Sequence, residues 1–285
     1  MKTGVSSYSF SQYINKGKMD IFDTVKKAKE LGFDAIEFIT LPEISGKTRQ
    51  ETALELKKLA KDEDIEISAY VVGGNVICEN EEDREKQLDI LKEEVDLAST
   101  LGVKLFRHDV GYQLPMNMCF DEALIIAAPI MREVAEYANS LGIKSMIENH
   151  GRAFQDADRM ERTVSAVNHK NFSLLVDIGN FMCADEDTVL SVSRVANLAA
   201  HVHMKDFVRK DFYSNDGKEK CYTTRGCNYL LGVAVGSGDA KAAQCISILK
   251  QAGYDGYLDI EFEGPSDCIE ELKKGLSFVR SCLTA

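Results

Sequence analysis

Basic residues are in short supply in this chain. Its 285 residues carry 34 Lys and Arg against 46 Asp and Glu, a formal net charge of −12. A nucleic-acid groove or an anionic membrane surface needs a local excess of Lys and Arg, so neither is expected as a partner. The short basic clusters, Arg209-Lys210 and Lys218 to Lys220, lie among acids. Proline is scarce too, at four residues, and no segment has the composition of a linker. No apolar run approaches the roughly 18 residues that span a bilayer. The N-terminus, M-K-T-G-V-S-S-Y-S-F-S, has no apolar core of the roughly 7–15 residues a signal peptide needs. Eight cysteines are present but none forms a C-x-x-C pair, and the Cys221–Cys227 spacing suits no common zinc knuckle. Scattered thiols in an acidic chain of this size point to a reduced, cytoplasmic protein. With 45% apolar residues, residues 1–285 are expected to form one globular domain.

A junction recurs along the chain. E-L-G-F-D-A-I-E-F, T-L-G-V-K-L-F-R-H, S-L-G-I-K-S-M-I-E and Q-A-G-Y-D-G-Y-L-D-I-E each follow a helical pattern and run into a short strand pattern. Their glycines, Gly32, Gly102, Gly142 and Gly253, read as helix stops, because glycine enters the left-handed conformation at little cost. Asp20 is placed to cap a helix carrying Ile21, Val25, Ala28 and Leu31 at helical spacing. Leu88, Leu91, Val95 and Ala98 repeat the pattern, as do Ile130, Val134 and Ala138. Pro129 is expected to kink that last helix or to mark where its regular part begins. Strands are expected near 3–8, 34–39, 65–72, 103–108, 143–148, 172–177, 199–204 and 256–262, with helical patterns between them. Alternating strands and helices imply a parallel sheet. Eight such units in about 250 residues fit an α/β (β/α)8 TIM barrel. An open doubly wound sheet is the competitor, but no G-x-G-x-x-G follows the first strand.

Chemistry in such a barrel sits at the C-terminal ends of the strands. The expected strand ends carry Arg107-His108-Asp109, Glu148-Asn149-His150, Asp177, His201-Val202-His203 and Glu261. Four of the five histidines therefore fall there; His169 instead suits a helix end. Strand alternation puts Glu148 with Met146 and Glu261 with Asp259, opposite the apolar Leu258 and Ile260. A lone carboxylate at a strand end is usually a cap or a partner for a nearby Lys or Arg. Glu148, Asp177, His203 and Glu261 converging from four strands instead make an oxygen-rich metal site. That donor set suits one divalent ion, Mn²⁺ or Mg²⁺, with Co²⁺ or Zn²⁺ as alternatives, and the cation would neutralise a self-repelling carboxylate trio. His201, one pleat deeper, reads as a core histidine supporting the site. Arg107, His108, His150, Arg152 and Lys205 are candidates for orienting substrate hydroxyls or holding an anion. The connection from Asp206 to Asp239 is long for a structureless loop. It reads as a lid, a subunit contact of a homo-oligomer, or a plain surface hairpin. The stretch G-G-N-V-I-C-E-N (73–80) is expected to border the same mouth.

The motifs I-E-N-H-G (147–151), V-D-I-G-N-F (176–181), H-V-H-M-K-D (201–206), V-G-S-G-D (235–239) and L-D-I-E-F-E-G (258–264) resemble the xylose isomerase-like TIM barrels. That superfamily includes sugar and sugar phosphate isomerases and epimerases, inosose dehydratases and endonuclease IV. The resemblance runs the length of the chain and implies metal ligands at Glu148, Asp177, His203 and Glu261. It further implies that Glu148 and Glu261 act as the acid–base pair. Asn180, a candidate substrate contact, departs from a histidine frequent at its position. Asp239 is expected to cap the next helix, with a phosphate contact at Gly236 or Gly238 as the alternative to a simple turn. The implied activity is a sugar or sugar phosphate isomerase or epimerase acting on a small-molecule carbohydrate. It would abstract a proton next to a carbonyl through a metal-stabilised enediolate. A lyase or dehydratase acting on an inosose or 3-keto-glycoside is the alternative. A non-catalytic barrel subunit ranks below these, and so does an endonuclease IV-like nuclease, which needs more histidines and less acidic charge.

Overall fold

Eight parallel strands close into a ring in the computed structural model, which describes residues 1–78, 80–210 and 221–284. In chain order the strands are β1 (Lys2–Ser6), β2 (Ala35–Ile39), β3 (Glu66–Val72), β4 (Leu105–His108), β5 (Lys144–Glu148), β6 (Phe172–Asp177), β7 (Ala199–Met204), β8 (Asp206–Lys210), β9 (Tyr222–Thr223), β10 (Tyr229–Val233) and β11 (Tyr257–Ile260). Strands β1 to β7 follow one another around the barrel, and β11 closes it between β7 and β1. The principal helices between strands are Ile21–Leu31, Arg49–Asp62, Glu81–Leu101, Phe120–Ser140, Ala157–Val167, Thr188–Val195 and Ala242–Gln251, with Cys268–Thr284 after β11. This is the expected (β/α)8 barrel. No helix among the described residues is long and apolar enough to cross a membrane.

Local chemistry sets the element ends. Asp20 accepts from the Asp23 amide at 2.9 Å and opens the first long helix with a reciprocal capping box. Gly32 and Gly102 close two helices at φ 92° and 85°, where a Cβ would be strained. Pro129 does not mark a helix start: the helix begins nine residues earlier and includes it. Its first turn carries Asp121 and Glu122, and Glu122 bonds back to the Cys119 amide, so the start is fixed well before the proline.

Alternation fixes which side chains enter the barrel. On β2, Ile36 and Phe38 are fully buried in the apolar layer between strands and helices. Glu37 lies between them and must point inward. Each buried aliphatic or aromatic side chain contributes about 1.5–3 kcal/mol, so this phase cannot slip by one residue. Inside the barrel a small apolar layer of Ala69, Val71, Met146 and Leu175 forms a separate cluster.

The long connection after β7 is a three-stranded antiparallel sheet of β8, β10 and β9, with Phe212 and Tyr213 outside the described residues. Asp206 anchors it. Its carboxylate accepts from the amides of Phe207, Gly236, Gly238 and Ala240 at 2.9–3.0 Å. The Gly236 and Gly238 amides are thus already occupied, which removes the phosphate contact. Asp239 does not cap the next helix. Its carboxylate accepts from the Arg209 amide, and Lys241 stands at the cap position without a side-chain bond.

Candidate functional site

The C-terminal ends of β5, β6 and β7, with the residue after β11, bring four ligand-type side chains together. Donor atoms of Glu148, Asp177, His203 and Glu261 all lie within 4.8 Å of one another. Asp177 pairs in register with His203 across β6 and β7, and the Glu261 amide still bonds to Met204 although β11 ends at Ile260. Arg107 joins from β4, its guanidinium 2.7 Å from Glu148 Oε2 and 2.6 Å from Asp109. Asn180 donates to the other Glu148 oxygen at 2.8 Å. Both oxygens of Glu148 are therefore engaged. Glu261 differs, because among the described residues only its Oε2 is held, by Lys205 at 2.8 Å and His203 at 3.2 Å.

Lys205 lies in the middle of the acids. Its ammonium is also 3.0 Å from Asp177 and 3.4 Å from Glu263. Burial alone would lower its pKa, but Asp177, Glu261, Glu263 and Glu148 hold it well above the ordinary value. The Asp177 carboxyl is pushed up to about 6, by burial first and by Glu148 and Glu261 next, against the pull of Lys205 and His203. Burial likewise opposes the charge on His203, and Glu37 and Glu261 outweigh it, so the imidazole is raised well above 6.5.

The donor set fits a divalent cation. His203 Nδ1 and Asp177 Oδ2 are buried and lie 3.9 Å apart, and their nearest charged neighbours among the described residues are Glu261 Oε2, 3.2 Å from Nδ1, and the Lys205 ammonium, 3.0 Å from Oδ2. Three carboxylates and one imidazole nitrogen converging on one point are the hard, oxygen-rich donor set that a divalent ion takes. One part of the sequence expectation needs correction. The acids do not depend on a metal alone for compensation, because the Lys205 ammonium already supplies one positive charge.

The remaining expected residues separate. His150 lines the mouth, its Nδ1 3.0 Å from Asp109, and Asp109 raises it against the effect of burial. Arg152, Asn180, Tyr112 and Tyr222 line an adjoining hollow of about 340 Å³. The stretch after β3 reaches the mouth through Gly73, whereas Val76 and Ile77 are buried and Glu79 lies outside the described residues. His108 does not belong to the site. Arg107 points inward, so His108 faces the helix layer with its ring near Phe106, fully buried, and burial lowers it to about 4. A larger hollow of about 550 Å³, lined by Lys2, Lys29, Asp34 and Glu66, sits at the strand N-termini, the wrong end for chemistry in this fold.

Sequence reasoning missed Glu37 and Glu263. Glu37 Oε2 is 2.8 Å from His203 Nε2 and 3.2 Å from His201 Nε2. Burial raises its pKa, but the two imidazoles bring it down to about 2. An acid between two apolar residues of a strand was the available signal. His201 is fully buried, with its Nε2 3.0 Å from Asp259 Oδ2.

Residues 25–282 match the family described as “Xylose isomerase-like TIM barrel”. The chain is 27% identical over 150 residues to an inosose dehydratase of Clostridium beijerinckii, covering 50% of this chain and 48% of that protein. It thus spans about half the length of that relative. An inosose dehydratase of Clostridium perfringens is 24% identical over 221 residues, 73% of each chain. Among solved structures, the D-psicose 3-epimerase of Clostridium cellulolyticum H10 superposes with a TM-score of 0.77 at 17% identity, over 99% of both chains.

Proposed function

Because the chain belongs to the xylose isomerase-like TIM barrel family, we propose that it is a divalent-metal-dependent sugar isomerase or epimerase. It would remove a proton beside the carbonyl of a small polyhydroxylated substrate. The convergence of Glu148, Asp177, His203 and Glu261 carries this reading. A cation bound by those four residues would supply Lewis-acid polarisation of the substrate carbonyl. Mn²⁺ or Mg²⁺ suits the hard donor set.

The protein's own groups divide the remaining work. Glu261 is the better-placed base, since among the described residues no hydrogen bond or ion pair holds its Oε1. Glu148, fixed by Arg107 and Asn180, is the second acid–base group: entering protonated, it would give that proton to the substrate and be left as the carboxylate, while Glu261 keeps the proton it took until solvent resets both. Return to the opposite face of the same carbon gives an epimer, and return to the neighbouring carbon gives an isomer. Lys205 faces the negative charge that develops on oxygen as the proton leaves. His150, Arg152 and Asn180 border the space where substrate hydroxyls would sit.

A second reading, dehydration of an inosose or 3-keto-glycoside, has its own support. Expelling a hydroxyl needs an acid besides the base. His150 is oriented by Asp109 at 3.0 Å and raised above its ordinary value. The two curated relatives named above are inosose dehydratases.

One experiment tests both. EDTA-treated and Mn²⁺-reloaded protein is incubated in D₂O with a panel of ketoses, inososes and 3-keto-glycosides. NMR is expected to show deuterium at the carbon beside the carbonyl, only with the cation and not in Glu261→Gln. Loss of water from the product selects the dehydratase reading. A panel with no exchange and no product refutes both.

A further inference from the structure

The two nitrogens of His203 meet different surroundings. Nδ1 faces the acids, 3.2–3.9 Å from oxygens of Glu261, Glu148 and Asp177, with Glu261 Oε2 the nearest of the three. Nε2 lies 2.8 Å from Glu37 Oε2. Glu37 comes from β2, three strands away around the barrel, and is fully buried. The same oxygen is 3.2 Å from His201 Nε2, which is 3.0 Å from Asp259 Oδ2. The Ser68 hydroxyl donates to that Asp259 oxygen. A continuous polar chain, Ser68–Asp259–His201–Glu37–His203, therefore crosses the barrel interior beneath the acids.

Such a chain is an expensive way to fill space. Burying one ion has an effective penalty of several kcal/mol, and an aliphatic side chain would fill the same volume without it. The neighbouring interior layer is built that way, from Ala69, Val71, Met146 and Leu175. A carboxylate kept at Glu37, with two imidazoles as its partners among the described residues, makes sense through those imidazoles. Glu37, His201 and His203 could also be read as ligands of their own metal. The contacts argue otherwise, because tetrahedral donors about 2.1 Å from a zinc stand roughly 3.4 Å apart. The observed 2.8 and 3.2 Å are hydrogen-bond lengths.

We propose that Glu37 is the positioning residue of the site. Its carboxylate holds the His203 proton on Nε2 and so presents Nδ1 to the cation, while His201 and Asp259 hold Glu37 in place. A ligating histidine whose second nitrogen is fixed by a carboxylate has a set tautomer and ring angle. This inference rests on the metal-site reading above.

The test uses Glu37→Ala and Glu37→Gln, with Mn²⁺ affinity measured by electron paramagnetic resonance and the metal-free variants crystallised. Circular dichroism checks that each is folded. Glu37→Ala is expected to weaken Mn²⁺ binding about 10–100-fold and to let the His203 ring turn. Glu37→Gln, which keeps an acceptor oxygen, is expected to lose less, on the order of tenfold. Wild-type affinity in folded Glu37→Ala, or an unturned ring, overturns the proposal. If Glu37→Ala does not fold, wild-type affinity in Glu37→Gln overturns it. If the wild-type protein binds no divalent cation, the metal reading fails separately, and the ring orientation in the variants decides the positioning role.

Discussion

Replacing Lys205 with methionine tests the charge balance of the site. The Lys205 side chain is 4% exposed, and its ammonium lies 2.8 Å from Glu261, 3.0 Å from Asp177 and 3.4 Å from Glu263. Methionine fills most of the same volume and deletes the charge. Removing one partner of a buried ion pair costs about 3–5 kcal/mol, because the remaining charge is uncompensated. Three carboxylates share this partner, which argues for the upper end. Asp177, already pushed up to about 6, can relieve part of the strain by taking a proton. A loss of about 4 kcal/mol is therefore expected in EDTA. For a chain of this size each kcal/mol moves Tm by about 2 °C, so Tm should fall by about 8 °C. A cation at 100 times its Kd stabilises by about 2.7 kcal/mol and should restore about 5 °C of that. The variant should also bind the cation more tightly than wild type, because the competing ammonium is gone. Differential scanning fluorimetry with and without Mn²⁺, and calorimetric titration, measure both effects. An EDTA melting point within about 2 °C of wild type refutes the buried-charge argument. Equal cation stabilisation in the two proteins refutes the competition.

Gly4→Ala should destabilise the protein by about 3 kcal/mol, the top of the usual overpacking range, because its Cβ would lie 1.8 Å from Asp259 Oδ1. Urea denaturation checks this against Gly73→Ala, whose Cβ meets nothing within 4 Å and which should stay within about 0.5 kcal/mol of wild type. A Gly4→Ala midpoint equal to the control's would disprove the close approach. For pH, Asp185 is the informative group. Burial raises its pKa, but bonds from the Asn228 side chain and the Gly226 amide outweigh this and lower it. A depressed folded pKa gives stability that is fully present above the unfolded value, about 3.9, and is lost as pH falls through the folded value. The drop in Tm from roughly pH 6 to pH 3 should therefore be smaller in Asp185→Asn, and an unchanged drop rejects the assignment.

The sequence was legible where one constraint acts alone. Glycine stops needed only a left-handed residue, and Gly32 and Gly102 supply it at φ 92° and 85°. Alternation turned Glu148 and Asp259 inward because apolar neighbours claim the outer face: Ile147 beside Glu148, Leu258 and Ile260 around Asp259. Applied consistently, the same rule excludes His108, since Phe106 sets the outward phase of β4, and it finds Glu37 between Ile36 and Phe38. Treating strand ends as a class wrongly included His108 and overlooked Glu37, although the signal for both was in the sequence. Other features have no local signal. The amides of Gly236, Gly238 and Ala240 are captured by Asp206, thirty or more residues earlier, and no short motif encodes such a partner.

Pairing is the hidden variable within the site as well. Each inward acid is compensated from a different strand or the loop beyond it: Glu148 by Arg107, Asp177 and Glu261 by Lys205, Glu37 by His203 and His201. Sequence tells which side chains point inward but not which of them meet. That pairing decides what each carboxylate can do. Glu148 and Glu261 look equivalent as strand-end glutamates. In the fold, Glu148 has both oxygens engaged, whereas Glu261 has one oxygen without a partner among the described residues. A proton acceptor needs a lone pair that is not already committed. The two glutamates are therefore unequal, and Glu261→Gln should cost proton exchange more than Glu148→Gln when the two are compared at saturating cation.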